Sequence, residues 1–172
     1  MLDRILNIFF FFSTLFVFLL FSEGESSRFF IAVVLSVLFS GMAFVLNWLT
    51  LDGGTSATLF GIIALGFGGW TGAAVTLAFF ISSSLLSRDL VAADDSVLAF
   101  RRDGMQVWAN GFWFALWLII WYLSQQPVFL IAAVTSMAFS TADTWGSEIG
   151  ANRVKRPTWL IHNFEEVKPG AD

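Results

Sequence analysis

From Ile5 to Ser140 the chain is a series of apolar runs separated by short polar stretches. A membrane-spanning helix needs about 20 mainly apolar residues. Residues 5–21 just reach that length and 29–49 meet it comfortably, with a polar turn at 22–28 between them. Residues 105–123 form a Trp-rich run, and after Ser124-Gln125-Gln126-Pro127 a last run extends from Val128 to about Ser140. The stretch 57–86 is different. As one helix it would be about 45 Å long, too long for an upright span and too short for two ordinary ones. Its centre, Gly66-Phe67-Gly68-Gly69-Trp70-Thr71-Gly72, is poor helix sequence, since each glycine costs about 1 kcal/mol of propensity. Either one long tilted helix or two shorter segments fits, and the glycines favour two.

Only 13% of the residues are charged, against about 25% in soluble domains, while 57% are hydrophobic and 17% aromatic. The expected fold is therefore all-α, a polytopic transmembrane helical bundle of about five or six membrane segments in one domain. Residues 5–49 would supply two N-terminal spans, 53–150 the core, and 151–172 a loop or tail. Arg4 and the run after it resemble a secretory signal. However, Ser22-Glu23-Gly24-Glu25-Ser26-Ser27 offers no small-residue cleavage site, and a retained first span is expected. With no Cys there is no disulfide framework, thiolate metal site or Cys nucleophile. The single histidine, His162, sits in a polar tail and reads as a solvated bystander. A net charge of −4 gives no hint of nucleic acid.

Two spans separate the polar loop 87–104 from the tail after Gly150, so both belong on one membrane face. Arg88, Arg101 and Arg102 in the loop, with Arg153, Lys155, Arg156 and Lys168 in the tail, make that face cytoplasmic by the positive-inside rule. An integral protein of the cell (inner) membrane is expected, with membrane lipids as its surroundings. The side of the N-terminus depends on how 57–86 is divided.

Two polar constellations lie on this face. In Arg101-Arg102-Asp103-Gly104-Met105-Gln106-Val107-Trp108-Ala109-Asn110-Gly111, Asp103, Gln106 and Asn110 fall on one helix stripe, at about 100° per residue. Asp103 and Gln106 alone would make a variant capping box, which leaves Asn110 unexplained. The second constellation is Ser140-Thr141-Ala142-Asp143-Thr144-Trp145-Gly146-Ser147-Glu148-Ile149-Gly150, two carboxylates and four hydroxyls at the end of a span. An acid beside hydrocarbon is costly and points to function. On a helix Asp143 and Ser147 share one face and Thr144 and Glu148 another. The two acids are then about 140° apart, and reach one metal only if the backbone breaks, for which Gly146 offers a place. Asp143 alone, with phosphate oxygens, would satisfy Mg²⁺. No glycine-rich nucleotide loop of a familiar kind is present.

These segments, with Ser82-Ser83-Ser84-Leu85-Leu86-Ser87-Arg88, resemble the DUF92 family of integral membrane proteins, which includes animal transmembrane protein 19 and the plant phytyl-phosphate kinases. The resemblance runs from about Gly53 to the end. It implies phosphorylation of a prenyl monophosphate by a nucleoside triphosphate. Asp143-Thr144-x-x-Ser147-x-x-Gly150 is also similar to a D-T-x-A-S-x-x-G pattern of CTP-dependent dolichol and phytol kinases, with Gly146 where those have Ala. The tail Val167-Lys168-Pro169-Gly170-Ala171-Asp172 is similar to the family's V-x-P-G-T-x-G-G, with Ala171 for Thr and the two glycines absent. An N-terminal portion of a longer protein is expected.

On this resemblance Asp143, with Glu148, would hold Mg²⁺, and Asp103 and Asn110 would orient substrate or metal. Arg101, Arg102, Lys155, Arg156 and Lys168, with Thr144 and Ser147, would bind substrate and nucleotide phosphates. Arg forks suit phosphate oxygens, and phosphoryl transfer needs mostly positioning and electrostatics. A transporter or a membrane scaffold is the alternative. Polar groups confined to one face favour the kinase; groups at mid-depth favour transport.

Overall fold

The computed structural model describes residues 1–21, 24–91 and 101–153, which form six helices and no strand. They are α1 (Leu2–Phe21), α2 (Ser26–Val45), α3 (Leu51–Gly66), α4 (Gly69–Val91), α5 (Gly104–Ser124) and α6 (Pro127–Arg153). All except α3 are long and apolar enough to cross a membrane. The α3 helix, with 16 residues, is about 24 Å long. The outward faces of α1 and α2 are strongly apolar: Phe12, Phe16 and Leu19 on α1 and Phe30 and Leu38 on α2 are all exposed. Such a surface suits hydrocarbon rather than water. The chain is an all-α integral membrane bundle.

The glycine-rich stretch divides 57–86 into two helices. The break falls at Phe67-Gly68, and Gly69 has φ +59°, in the left-handed region that glycine enters without steric cost. The hairpin is tight because α4 turns back directly over α3. A Cβ on Gly72 would sit 2.2 Å from the Ala64 carbonyl oxygen. With α3 and α4 running in opposite directions, the six helices alternate. One end of the bundle carries the N-terminus, the α2–α3 link, the start of α5 and the end of α6. We call it the polar end. The other carries the α1–α2 link, the α3–α4 corner and the α5–α6 turn.

Helices α3, α4, α6 and α5 pack in a ring in that order, α2 lies along α3, and α1 lies against α5 and α3. Lipid supplies little hydrophobic drive between helices, so close packing of small residues matters. Ser36 of α2 meets Gly61 of α3 so closely that a Cβ on Gly61 would lie 2.6 Å from its hydroxyl. The α1 helix is held to α5 by Phe10 stacked on Trp108, with centroids 4.3 Å apart, and by Trp108 Nε1 donating to Asn7 Oδ1 at 2.7 Å. Helix α6 does not end near Ser140. It continues to Arg153, because nothing in 141–150 except two glycines opposes helix and Thr141 Oγ1 bonds back to Met137 O at 2.7 Å. The backbone does not break at Gly146.

Candidate functional site

The polar end is organised by a strap. Backbone N–H of Thr50 donates to Arg102 O and that of Arg102 to Trp48 O, both at 3.0 Å, an isolated bridge between the α2–α3 link and the approach to α5. Gly53 makes the approach possible, since a Cβ there would lie 2.1 Å from Arg102 O. Asp52 completes the strap: its carboxylate accepts from Thr50 Oγ1 at 2.8 Å and from Gly104 N at 3.2 Å. Thr50 caps α3 through Gly53 N. Asp103 caps α5 through Gln106 N at 2.8 Å while Gln106 Oε1 accepts from Asp103 N at 3.1 Å, a complete capping box.

With its backbone fixed, Arg102 sends its side chain towards α4. The guanidinium lies over Phe79 and Phe80, 5.9 and 5.5 Å from the ring centroids, and donates to Ser84 Oγ at 3.2 Å. No carboxylate among the described residues lies within 4 Å of it. Burial pulls its pKa below the ordinary arginine value, and the carboxylate of Glu148 pulls the other way. Glu148 accepts from Ser87 Oγ at 2.7 Å, joining α6 to α4. Arg101 goes elsewhere, over Phe44 of α2 at 5.7 Å, and its Nε is buried without a hydrogen-bond partner. The two arginines therefore do not form one fork.

Above Arg102 lies a cavity of about 250 Å³ between α2, α3, α4 and α5. Arg102, Gln106 and Asn110 form its polar end, and Phe60, Ala64 and Ala73 are among the apolar residues of its walls. Asn110 also borders a second, more open cleft between α5 and α6, which it shares with Ser140 and Asp143. There Ser140 Oγ donates to Asn110 O at 2.9 Å, and Asn110 Nδ2 donates to Gln106 O at 3.1 Å.

The expected site residues are thus partly assembled. Asn110 and Asp143 line one cleft, and Arg102 shares a cavity with Asn110. Asp143 and Glu148 stay about 140° apart on an unbroken helix, Asp143 towards α5 and Glu148 towards α4. Thr144 is half-buried and Ser147 exposed, and neither makes a side-chain hydrogen bond among the described residues. Asp103 is held in its cap. Lys155, Arg156 and Lys168 lie outside the described residues. Sequence reasoning gave no role to Ser84, Ser87, Asp52 or Thr50. For the serines a signal existed, since Ser84 and Ser87 at i, i+3 share one helix face at the end of a span.

Among the described residues no group of three or more His, Asp or Glu gathers as a metal cage. Asp143 and Asn110 in one cleft are nevertheless oxygen ligands of the kind Mg²⁺ accepts, when substrate phosphates and water supply the remainder. Comparison with curated proteins and with solved structures gives no match. The family model of the integral membrane protein DUF92 matches residues 34–172, beginning inside α2 rather than at Gly53, and the chain belongs to that family.

Proposed function

We propose that this protein transfers a phosphoryl group from a nucleoside triphosphate to a prenyl monophosphate, whose head lies at Arg102 and whose chain enters the cavity above it. One observation carries this reading: a largely desolvated guanidinium, with no carboxylate beside it among the described residues, closes the polar end of an apolar cavity. A buried cation without a counter-charge is costly, and a phosphate would relieve that cost through charge-assisted hydrogen bonds. In the transfer, an oxygen of the prenyl phosphate forms a bond to the γ-phosphorus. The bond between that phosphorus and its bridging oxygen breaks, and the nucleoside diphosphate leaves. Mg²⁺, when bound, neutralises phosphate charge; Asp143 and Asn110 would hold it from the α5–α6 cleft. Asn110 borders both clefts, so it would orient acceptor and donor towards each other. Thr144, Ser147, Lys155, Arg156 and Lys168 are assigned to the nucleotide phosphates on the family resemblance alone. Glu148, bonded to Ser87, tunes Arg102 rather than joining the metal.

The polar end faces the cytoplasm in this proposal, supported by Arg4, Arg88, Arg101 and Arg102 there against Arg28 at the other end. Transport is less favoured. All charged residues in the described helices but Asp143 lie within five residues of a helix end, whereas transporters hold their substrates at mid-depth; Asp143 stands ten residues before the end of α6, in the same cleft as Asn110 of the second turn of α5. The test is direct: the full-length protein in detergent, incubated with Mg²⁺, CTP or ATP and prenyl monophosphates, yields prenyl diphosphate by mass spectrometry. No product from well-folded protein with any nucleotide would sink the reading.

A further inference from the structure

We infer that the cavity is a slot open sideways to the bilayer between α2 and α4, through which the distal part of a single prenyl chain leaves the protein. The inference rests on the phosphate reading above and adds how the chain is selected. A cavity of about 250 Å³ is smaller than the roughly 300–1,000 Å³ of pockets that enclose a drug-sized ligand. It suits the first part of one chain, about two isoprene units, rather than two acyl chains or the whole of a long prenyl tail.

The structure provides the exit. The cavity is partly open, and α2 and α4, which both line it, are not among the helix pairs that pack side by side. They meet nearer the polar end, where Phe39 of α2 and Trp48 of the α2–α3 link contact Phe80 of α4, with centroids 5.5 and 6.0 Å apart. Farther from that end the lining residues face outwards: Leu35 is 41% exposed, Leu77 37% and Trp70 71%. Leu35 and Leu77 each lie roughly half-way along a membrane-spanning helix, at the depth of hydrocarbon rather than headgroups. An amphiphile already in the bilayer can slide in sideways, with its phosphate at Arg102, its first isoprene units among Phe60, Ala64 and Ala73, and the remainder in lipid. Units beyond the slot make no contact with protein, so chain length is not measured past that point.

The test is binding rather than turnover, by native mass spectrometry of the full-length protein in detergent. Geranyl phosphate fits wholly inside the slot; geranylgeranyl phosphate does not. In the unsubstituted protein both bind, and longer polyprenyl phosphates bind within about threefold of geranylgeranyl phosphate. Leu77→Trp, and separately Leu35→Trp on the facing helix, narrow the opening. Each weakens geranylgeranyl phosphate by about tenfold or more, since exclusion of even two methylenes is an effect of that size. Each keeps geranyl phosphate, which shows that the variant is folded. Equal retention of both chains by both variants overturns the sideways opening. Phosphatidic acid displacing geranylgeranyl phosphate at equal concentration overturns the single-chain occupant. If the unsubstituted protein binds no prenyl phosphate of either length, the phosphate reading itself falls.

Discussion

At the end that carries the α1–α2 link, Arg28 and Glu25 lie 2.6 Å apart, and Tyr122 Oη donates to the same carboxylate at 2.7 Å. The Arg28 guanidinium also sits 5.7 Å over the Tyr122 ring. At the polar end the more desolvated Arg102 has a serine hydroxyl, two phenyl rings and a distant carboxylate. The first arrangement pairs an acid with a base and a phenol and ties α2 to α5, although Arg28 Nε stays buried without a hydrogen-bond partner. The second is more open: two aromatic faces and one serine hydroxyl hold the guanidinium, and no carboxylate among the described residues lies within 4 Å of it. Paired charge at a helix end stabilises; unpaired charge at the mouth of a cavity is ready for a ligand. The contrast predicts which substitutions change chemistry and which change only stability.

The largest effect is expected at Asp143. Asp143→Asn keeps the side chain's size and removes the charge that a metal needs. Turnover of the full-length protein should fall by at least about a hundredfold, as it does when metal-site residues are lost, while prenyl-phosphate binding survives. Turnover within a few-fold of the unsubstituted protein would remove Asp143 from the site. Next is Arg102. Loss of charged hydrogen bonds to a phosphate should weaken prenyl-phosphate binding in Arg102→Ala by about thirtyfold, with no loss of thermal stability because a buried cation is removed. Arg102→Lys should fall between, since the charge remains and the planar fork does not. A drop in stability without a change in binding would make Arg102 an anchor like Arg28.

Glu25→Gln is the matching substitution at the paired end. The pair is more than one-third exposed, so its effect is discounted to about 1 kcal/mol or less. Thermal unfolding in detergent should register that loss, and prenyl-phosphate binding should not change. Weakened binding would mean that the two ends are coupled.

How far the sequence reveals this arrangement depends on the physical scale of each signal. Apolar runs of about 20 residues give the spans directly, and the glycines at 66–72 place the α3–α4 break, because both act within one segment. Parity then puts the start of α5 and the end of α6 together. What one segment cannot show is where its side chains go between segments. Arg101 and Arg102 are adjacent and look alike, yet Phe44 takes one and Phe79, Phe80 and Ser84 take the other. The strap that decides this depends on Gly53 and Asp52, about 50 residues away. The cavity likewise depends on a gap between α2 and α4 that no local pattern encodes. Asp143 and Glu148 were legible as acids on opposite faces of a helix; that Gly146 leaves the helix intact required the fold.

The smallest effect is expected at Asp103, where capping and catalysis make opposite forecasts. Its carboxylate accepts the Gln106 N–H at the start of α5, and Asn does this about as well as Asp, whereas Ala cannot. As a cap, Asp103→Asn should leave stability and turnover nearly unchanged, while Asp103→Ala should cost about 1 kcal/mol of stability. As a charged participant in phosphoryl transfer, Asp103→Asn should lower turnover as Asp143→Asn does, and leave stability alone. Measuring both quantities on both variants separates the roles, since only the cap makes Asn harmless and Ala costly. The capping box is complete and the helix start is also fixed by Asp52 on Gly104 N, so we expect the cap. Asp143 would then be left as the acid that carries charge into the α5–α6 cleft.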